Sequence, residues 1–483
     1  MNKLYLIISL AFTIYSCNSP TNIKQVDKPA PIYPDYTNIA IPINIAPLNF
    51  LTRDDKTTHL EVHIIGKSGE LRSSGKQKIQ FSENEWKSFL QKESGQTLNV
   101  QLFAEIGHEW IQYQTFTWKI VSDKIDPYIS YRLIEPGYEV WNEIQLRERN
   151  IETFDEKVIA DNNLVEGSCM NCHIYGNQDP NLSMFHIRGK NGGTILNRNG
   201  KLRKLNTRTS QMMSPAIYGN FHPSGCFAVF STNKIIPELH ALRPEKLEVY
   251  DTESDLVIAD FDNNKMICPP QLTGKQSLET FPTFSADGKW IYFCTAPSMT
   301  LPDSVKYLKY SLCRVSFDER TSTIGERIDT IVSAKQSGKS VCHLKASPDG
   351  NYLLYTVANY GTFPIWHPEA NLQMIHLQDN TIDSLSIVNG PYSDSYHSWS
   401  SNSRWFVFAS KRDNGIYGKP YFCYVDANGK AHKPFVLPQY DPATYDYTLK
   451  SFNIPELSKG PLSFDAIDIE KIYNSQEAEQ MHE

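Results

Sequence analysis

Between residues 37 and 145 apolar and polar positions alternate with a period of two. THLEVHII sets Leu60, Val62 and Ile64 on one face and His59, Glu61 and His63 on the other, and TLNVQLFAE and WIQYQTFTWKIV continue the pattern. One helix interrupts, announced by Ser82 and Glu85 in capping-box spacing, with Trp86, Phe89 and Leu90 as its buried stripe. The pattern predicts an N-terminal β-sandwich over 37–145. From 146 to about 185 the alternation lapses, and 146–200 reads as short helices and loops. After residue 201 a repeat begins. NFHPSGCFAVFSTN, TFSADGKWIYFCTA, KASPDGNYLLYTVAN and SWSSNSRWFVFASKR each pair a Ser-x-Asp/Gly-type turn with an aromatic strand. The period of about 50 to 60 residues fits one propeller blade per copy. The predicted fold is mainly β: the sandwich, a short helical segment, and a β-propeller of five to seven blades over 201–465, with 466–483 as a tail. Degenerate blades are expected from 185–212 and 440–465.

The ends change the picture. Residues 1–16 place one lysine before an apolar run of about a dozen residues, a secretory signal too short to span a bilayer as a stable helix. The run stops at Ile14, Tyr15, Ser16 and Cys17, a lipobox-like ending in which Cys17 becomes the acylated N-terminus, although Tyr15 departs from the usual small residue there. Residues 17–36 read as a proline-rich tether. These features predict a protein of the cell envelope, at the outer membrane or in the periplasm, held to the membrane by its lipid. A net charge of -7 without a basic cluster argues against a nucleic-acid partner.

Nine cysteines include a chemically specific pair. Cys169, Met170, Asn171, Cys172 and His173 spell C-x-x-C-H, the attachment signature of c-type haem. Two thiols at this spacing reach the two vinyl groups of one porphyrin edge, and the following imidazole ligates the iron. An export signal places the motif where such haem is attached. A zinc site would need a further cysteine or histidine pair at ligand spacing, and a thiol redox pair a βαβ surrounding; the sequence shows neither. The expectation is one covalent haem c on Cys169, Cys172 and His173. The six remaining cysteines, among them Cys294, Cys313 and Cys423 in strand-like runs, read mostly as free core thiols.

Downstream, Met184, His186 and Arg188 share one face of a predicted strand, offering two candidate axial ligands and a cation for a haem propionate. His186 is the preferred sixth ligand; Met184, Met212, Met213, His222 and His397 are alternatives.

The four repeats resemble the TolB-like propeller repeat over about residues 210–435. The fourth copy departs from it, with Asn402 and Ser403 in place of Asp-Gly. The order of signal, lipobox, strand-rich domain, GSCMNCH, MFHIRGKNGGT and repeats resembles a family of bacterial lipoproteins often labelled cytochrome c biogenesis proteins. The activity of that family is poorly defined, so the resemblance implies a haem-bearing lipoprotein and little about chemistry. The expected function is electron transfer in the envelope, with the propeller as docking surface for a redox partner or another envelope protein. Two alternatives stand beside it. One is a haem peroxidase or small-molecule reductase with an open iron position near His343, Trp366 and His367. The other is a propeller binding module in which haem is structural or sensory.

Overall fold

The computed structural model describes residues 22–136, 143–241, 243–475 and 477–483. The signal sequence and Cys17 lie outside the described residues. Among the described residues, no helix is long and apolar enough to cross a membrane.

The chain is mainly β, and its larger part is a six-bladed propeller. Four blades are contiguous four-stranded antiparallel sheets with inner strands Ile217–Phe221, Ser277–Phe284, Ser340–Ala346 and Asp394–Trp399, here blades 3 to 6. Blade 2 begins with Met170–Gly176 and runs through Asp179–Ile187, Gly193–Arg198 and Lys201–Asn206, with Glu479–Gln480 added at its edge. Blade 1 is assembled from both ends of the propeller sequence. Ser451–Ser458 forms its inner strand and pairs antiparallel with Tyr128–Ile134, followed outward by Ile144–Asn150 and Glu156–Asp161. This closure leaves the ring no inner sheet edge.

Two expectations are corrected. The propeller starts at Tyr128, not at residue 201, and the cysteine pair sits in a strand, not in a helical segment. The helical content between 146 and 200 is one 3-10 turn, Asn162–Leu164. The physical reason is burial: blade 2 is covered by blades on both faces, so Met170, Cys172, His173, Ile174 and Tyr175 are all buried and the period-two signal disappears.

The repeat turns form as their residues require. Ser285 Oγ donates to Asp287 Oδ1 (2.6 Å), Asp287 Oδ1 accepts from Lys289 N (3.1 Å), and Gly288 takes φ +73°, open to glycine at no steric cost. Blade 5 repeats the arrangement with Ser347, Asp349 and Gly350. In blade 6 the departure serves docking. Asn402 Nδ2 donates to Lys124 O (2.6 Å), Asp126 accepts from Ser401 N and Oγ (2.7 Å each), and Ser403 holds the left-handed position at φ +58°.

The N-terminal unit comprises a seven-stranded sheet, a three-stranded sheet and the helix Glu83–Lys92. Leu60, Val62 and Ile64 are fully buried, and the helix buries Trp86, Phe89 and Leu90. Ser82 occupies the N-cap position without a side-chain capping bond. The unit shares one continuous core with blade 6: Trp118 and Val100 belong to the same cluster as Trp405 and Phe408.

Candidate functional site

Each of the six inner strands carries one residue with left-handed backbone: Cys172 (φ +56°), Tyr218 (+51°), Phe281 (+49°), His343 (+53°), Tyr396 (+47°) and Ile454 (+53°). At each of these positions the pairing with the neighbouring strand slips, which is the mark of a β-bulge. Left-handed φ costs a non-glycine residue about 1–2 kcal/mol, and here it recurs in every blade. Each bulge turns one side chain toward the propeller axis.

The result is a collar. Successive rings touch around most of the circle: Tyr218 to Phe281 at 4.5 Å, Phe281 to His343 at 4.6 Å edge-on, and His343 stacked on Tyr396 at 4.3 Å between centroids. Cys172 and Ile454 complete it. The collar bounds an axial cavity of about 160 Å³, lined also by Arg132, Lys345, Phe363, His397 and Glu456.

The polar groups in this cavity are constrained. Lys345 Nζ pairs with Glu456 Oε1 at 2.8 Å, and burial raises the Glu456 carboxyl although Lys345 opposes the rise. His397 Nε2 faces the Leu354 carbonyl at 2.9 Å, and burial lowers its pKa to about 3. Both ring nitrogens of His343 are buried without a hydrogen-bond partner among the described residues, as is Arg132 Nε. Burial, with His397 and Lys345 nearby, holds His343 neutral. A buried polar group without a partner carries a desolvation cost of about 1–3 kcal/mol, which a ligand can relieve.

The mouth of the cavity is strapped. Blade 3 has strands of 13 and 14 residues, Phe227–Leu239 and Leu247–Asp260, and their far end reaches blade 5. There Glu248 Oε1 faces His367 Nε2 (2.8 Å) and accepts from the Tyr360 hydroxyl (2.9 Å), in the loop that sends Phe363 into the cavity.

The pentad is divided by the propeller. Cys172 lies on the collar, its thiol pushed up by burial, while Cys169 is half-buried just before the strand and its carbonyl accepts from Arg188 N (2.9 Å). His173 is buried on the side of blade 1, close to the backbone of Ser130 and Ile454, and burial lowers its pKa to about 4. Met184 and His186 share a face, but it is the blade 3 side: Met184 packs with Leu196 and Phe221, and His186 lies edge-on to Phe230 at 6.1 Å. His173 and His186 therefore occupy opposite faces of one sheet. In this packing neither His186 nor Met184 can be the second ligand of an iron held by His173. Nor does a porphyrin fit the axial cavity, whose volume corresponds to about five waters.

The other candidates separate similarly. Met212 is buried in the blade 2–3 core, and His222 braces a turn through Ser224 Oγ (2.8 Å) and the Gly288 carbonyl (3.3 Å). His367 serves the strap, and Trp366 lies under the Lys411 ammonium. No group of three or more His, Cys, Asp or Glu residues among the described residues is arranged to hold a metal ion. All eight described cysteines are free thiols.

Sequence reasoning missed Arg132 and the collar, although a spacing signal was present. Each collar residue stands four before the position that opens the turn: Tyr218 before His222, Phe281 before Ser285, His343 before Ser347, Tyr396 before Ser400, Ile454 before Ser458 and Cys172 before Gly176. The pentad thus contains the blade 2 copy of the repeat.

No family model and no curated protein matches the chain. Solved structures similar to parts of it include an oligogalacturonate lyase in complex with manganese (12% identity, TM-score 0.26, 61% of this chain and 55% of that one). Others are the β-propeller domain of Cps50 (Swd1) from Myceliophteria thermophila (7%, 0.31, 55% and 68%) and the C-terminal WD40 domain of Sif2 (10%, 0.28, 71% and 92%). The chain thus spans about half the length of the lyase. Similarity at this level carries no argument about activity.

Proposed function

We propose that the protein is a binding module of the cell envelope, tethered through Cys17, whose working site is the axial cavity at the collar. One observation carries the reading: six left-handed residues direct side chains into one cavity, where the His343 ring and Arg132 Nε are buried without partners. Such a site suits a small flat molecule that stacks on the rings and presents an acceptor or anionic group to Arg132. The test is to denature purified protein and analyse the released small molecules by mass spectrometry. A low-mass compound should leave the wild type and be absent from Arg132→Gln and His343→Phe. Identical extracts from all three proteins would refute the proposal.

A covalent haem c, with electron transfer to a redox or envelope partner, is the second reading. It is favoured by the pentad itself and by the two free thiols at the channel wall, one of them partly exposed. It requires Met170–Gly176 to leave the inner ring, since His173 faces blade 1. Co-expression with a haem-attachment system followed by intact mass measurement decides it. A haem-sized mass increase lost in Cys169→Ala/Cys172→Ala would establish the cytochrome, and an unmodified mass would end that reading.

A further inference from the structure

Between blades 2 and 3, away from the axial collar, lies a second cavity of about 410 Å³. Its walls are mostly apolar: Leu205, Ala216, Ile217 and Ile235 contribute to them. Three polar side chains interrupt this lining. His186 is 6% exposed; its Nδ1 is engaged by Thr194 Oγ1 at 2.8 Å, and its Nε2 has no partner among the described residues. Asn233, also 6% exposed, donates from Nδ2 to Thr280 Oγ1 (3.3 Å) and leaves Oδ1 without a partner. Arg188 stands at the exposed rim and makes no ion pair among the described residues.

These groups specify a ligand by complementarity. When the Thr194 hydroxyl donates to Nδ1, the neutral imidazole carries its proton on Nε2 and becomes a donor. The site then offers a cation and a neutral donor at one end, a neutral acceptor at Asn233 Oδ1, and an aliphatic body. A single cation matches one negative charge, and a neutral acceptor matches an amide or hydroxyl donor better than an ammonium. The volume falls in the usual range of small-molecule sites, about 300–1,000 Å³.

We infer that this cavity binds an N-acylated aliphatic amino acid, the chemistry presented by the C-terminal residue of a peptide. The carboxylate meets Arg188 and His186 Nε2, the amide N–H meets Asn233 Oδ1, and the aliphatic side chain fills the apolar wall. The inference is independent of the axial cavity, because none of these three residues lines it.

The probe is N-acetyl-L-leucine, titrated calorimetrically into the full-length protein. Saturable binding is expected, weakened by about ten- to hundredfold in N-acetyl-L-leucinamide, which lacks the anion, and similarly in Arg188→Gln. Arg188 is exposed and without an ion pair, so the variant leaves the fold intact. A second readout follows the His186 ring by NMR: burial and the Arg188 charge hold its pKa at about 4, and a bound carboxylate should raise it. No saturable binding by wild-type protein, equal affinity for acid and amide, inorganic phosphate competing as well as the probe, or an Arg188→Gln variant that binds normally would each overturn the inference.

Discussion

Replacing His367 with alanine should loosen the strap over the axial cavity, and the size of the effect should depend on pH. The imidazole is fully buried between two glutamates, 2.8 Å from Glu248 Oε1 and 3.2 Å from Glu369 Oε1. Burial disfavours its charge, but the hydrogen bonds and charges of the two carboxylates outweigh burial and raise its pKa from 6.5 to about 9. Because the folded value lies above the unfolded one, the stabilisation is complete below pH 6.5 and is lost as pH rises through 9. That difference corresponds to about 3 kcal/mol, and removing one partner of a buried ion pair costs about 3–5 kcal/mol. In His367→Ala, Glu248 would remain buried with the Tyr360 hydroxyl as its donor. Urea unfolding of wild type and variant at pH 6, 8 and 10 is the assay. The wild type should be more stable by about 3 kcal/mol at pH 6, with the difference shrinking steadily toward pH 10. A difference that stays constant across this range would show that the imidazole is not held protonated by these carboxylates.

Two further outcomes test the packing. Trp405 is fully buried where blade 6 meets the N-terminal unit, and its indole N–H donates to Asp123 O at 2.8 Å. Trp405→Ala should cost about 3–5 kcal/mol and lower a single calorimetric transition. An unshifted N-terminal transition separating from the rest would contradict the shared core. Asp251 is 4% exposed, and burial lifts its pKa from 3.8 to about 7. Its folded value exceeds its unfolded one, so stability present below pH 3.8 is lost as pH rises through 7. Asp251→Asn should therefore be neutral at pH 3.5 and stabilising by up to about 4 kcal/mol at pH 8. A destabilised variant at pH 8 would show that the charge has a partner worth more than its burial costs.

The local half of this protein was legible in its residues. Strands with one face solvated, such as Thr57–Ile65, announce themselves by alternation, and the helix stripe of Trp86, Phe89 and Leu90 does so by its spacing. The four turns with serine, aspartate and glycine mark four blades because backbone reversal demands those residues in consecutive positions. Met184 and His186 share a face, as a period of two requires.

What lay beyond reach was whatever depends on residues distant in the chain. Blade 1 borrows its inner strand from Ser451–Ser458, more than 300 residues after Tyr128, and no local pattern encodes that pairing. The meaning of the cysteine pair changed for the same reason. Spacing says that Cys169, Cys172 and His173 suit a porphyrin, whereas the closed ring turns Cys172 toward the axis and His173 toward blade 1. Bulges aim side chains through a slip in pairing with a neighbouring strand. The neighbour, and with it the direction of each collar residue, exists only once the six sheets have closed around a common axis.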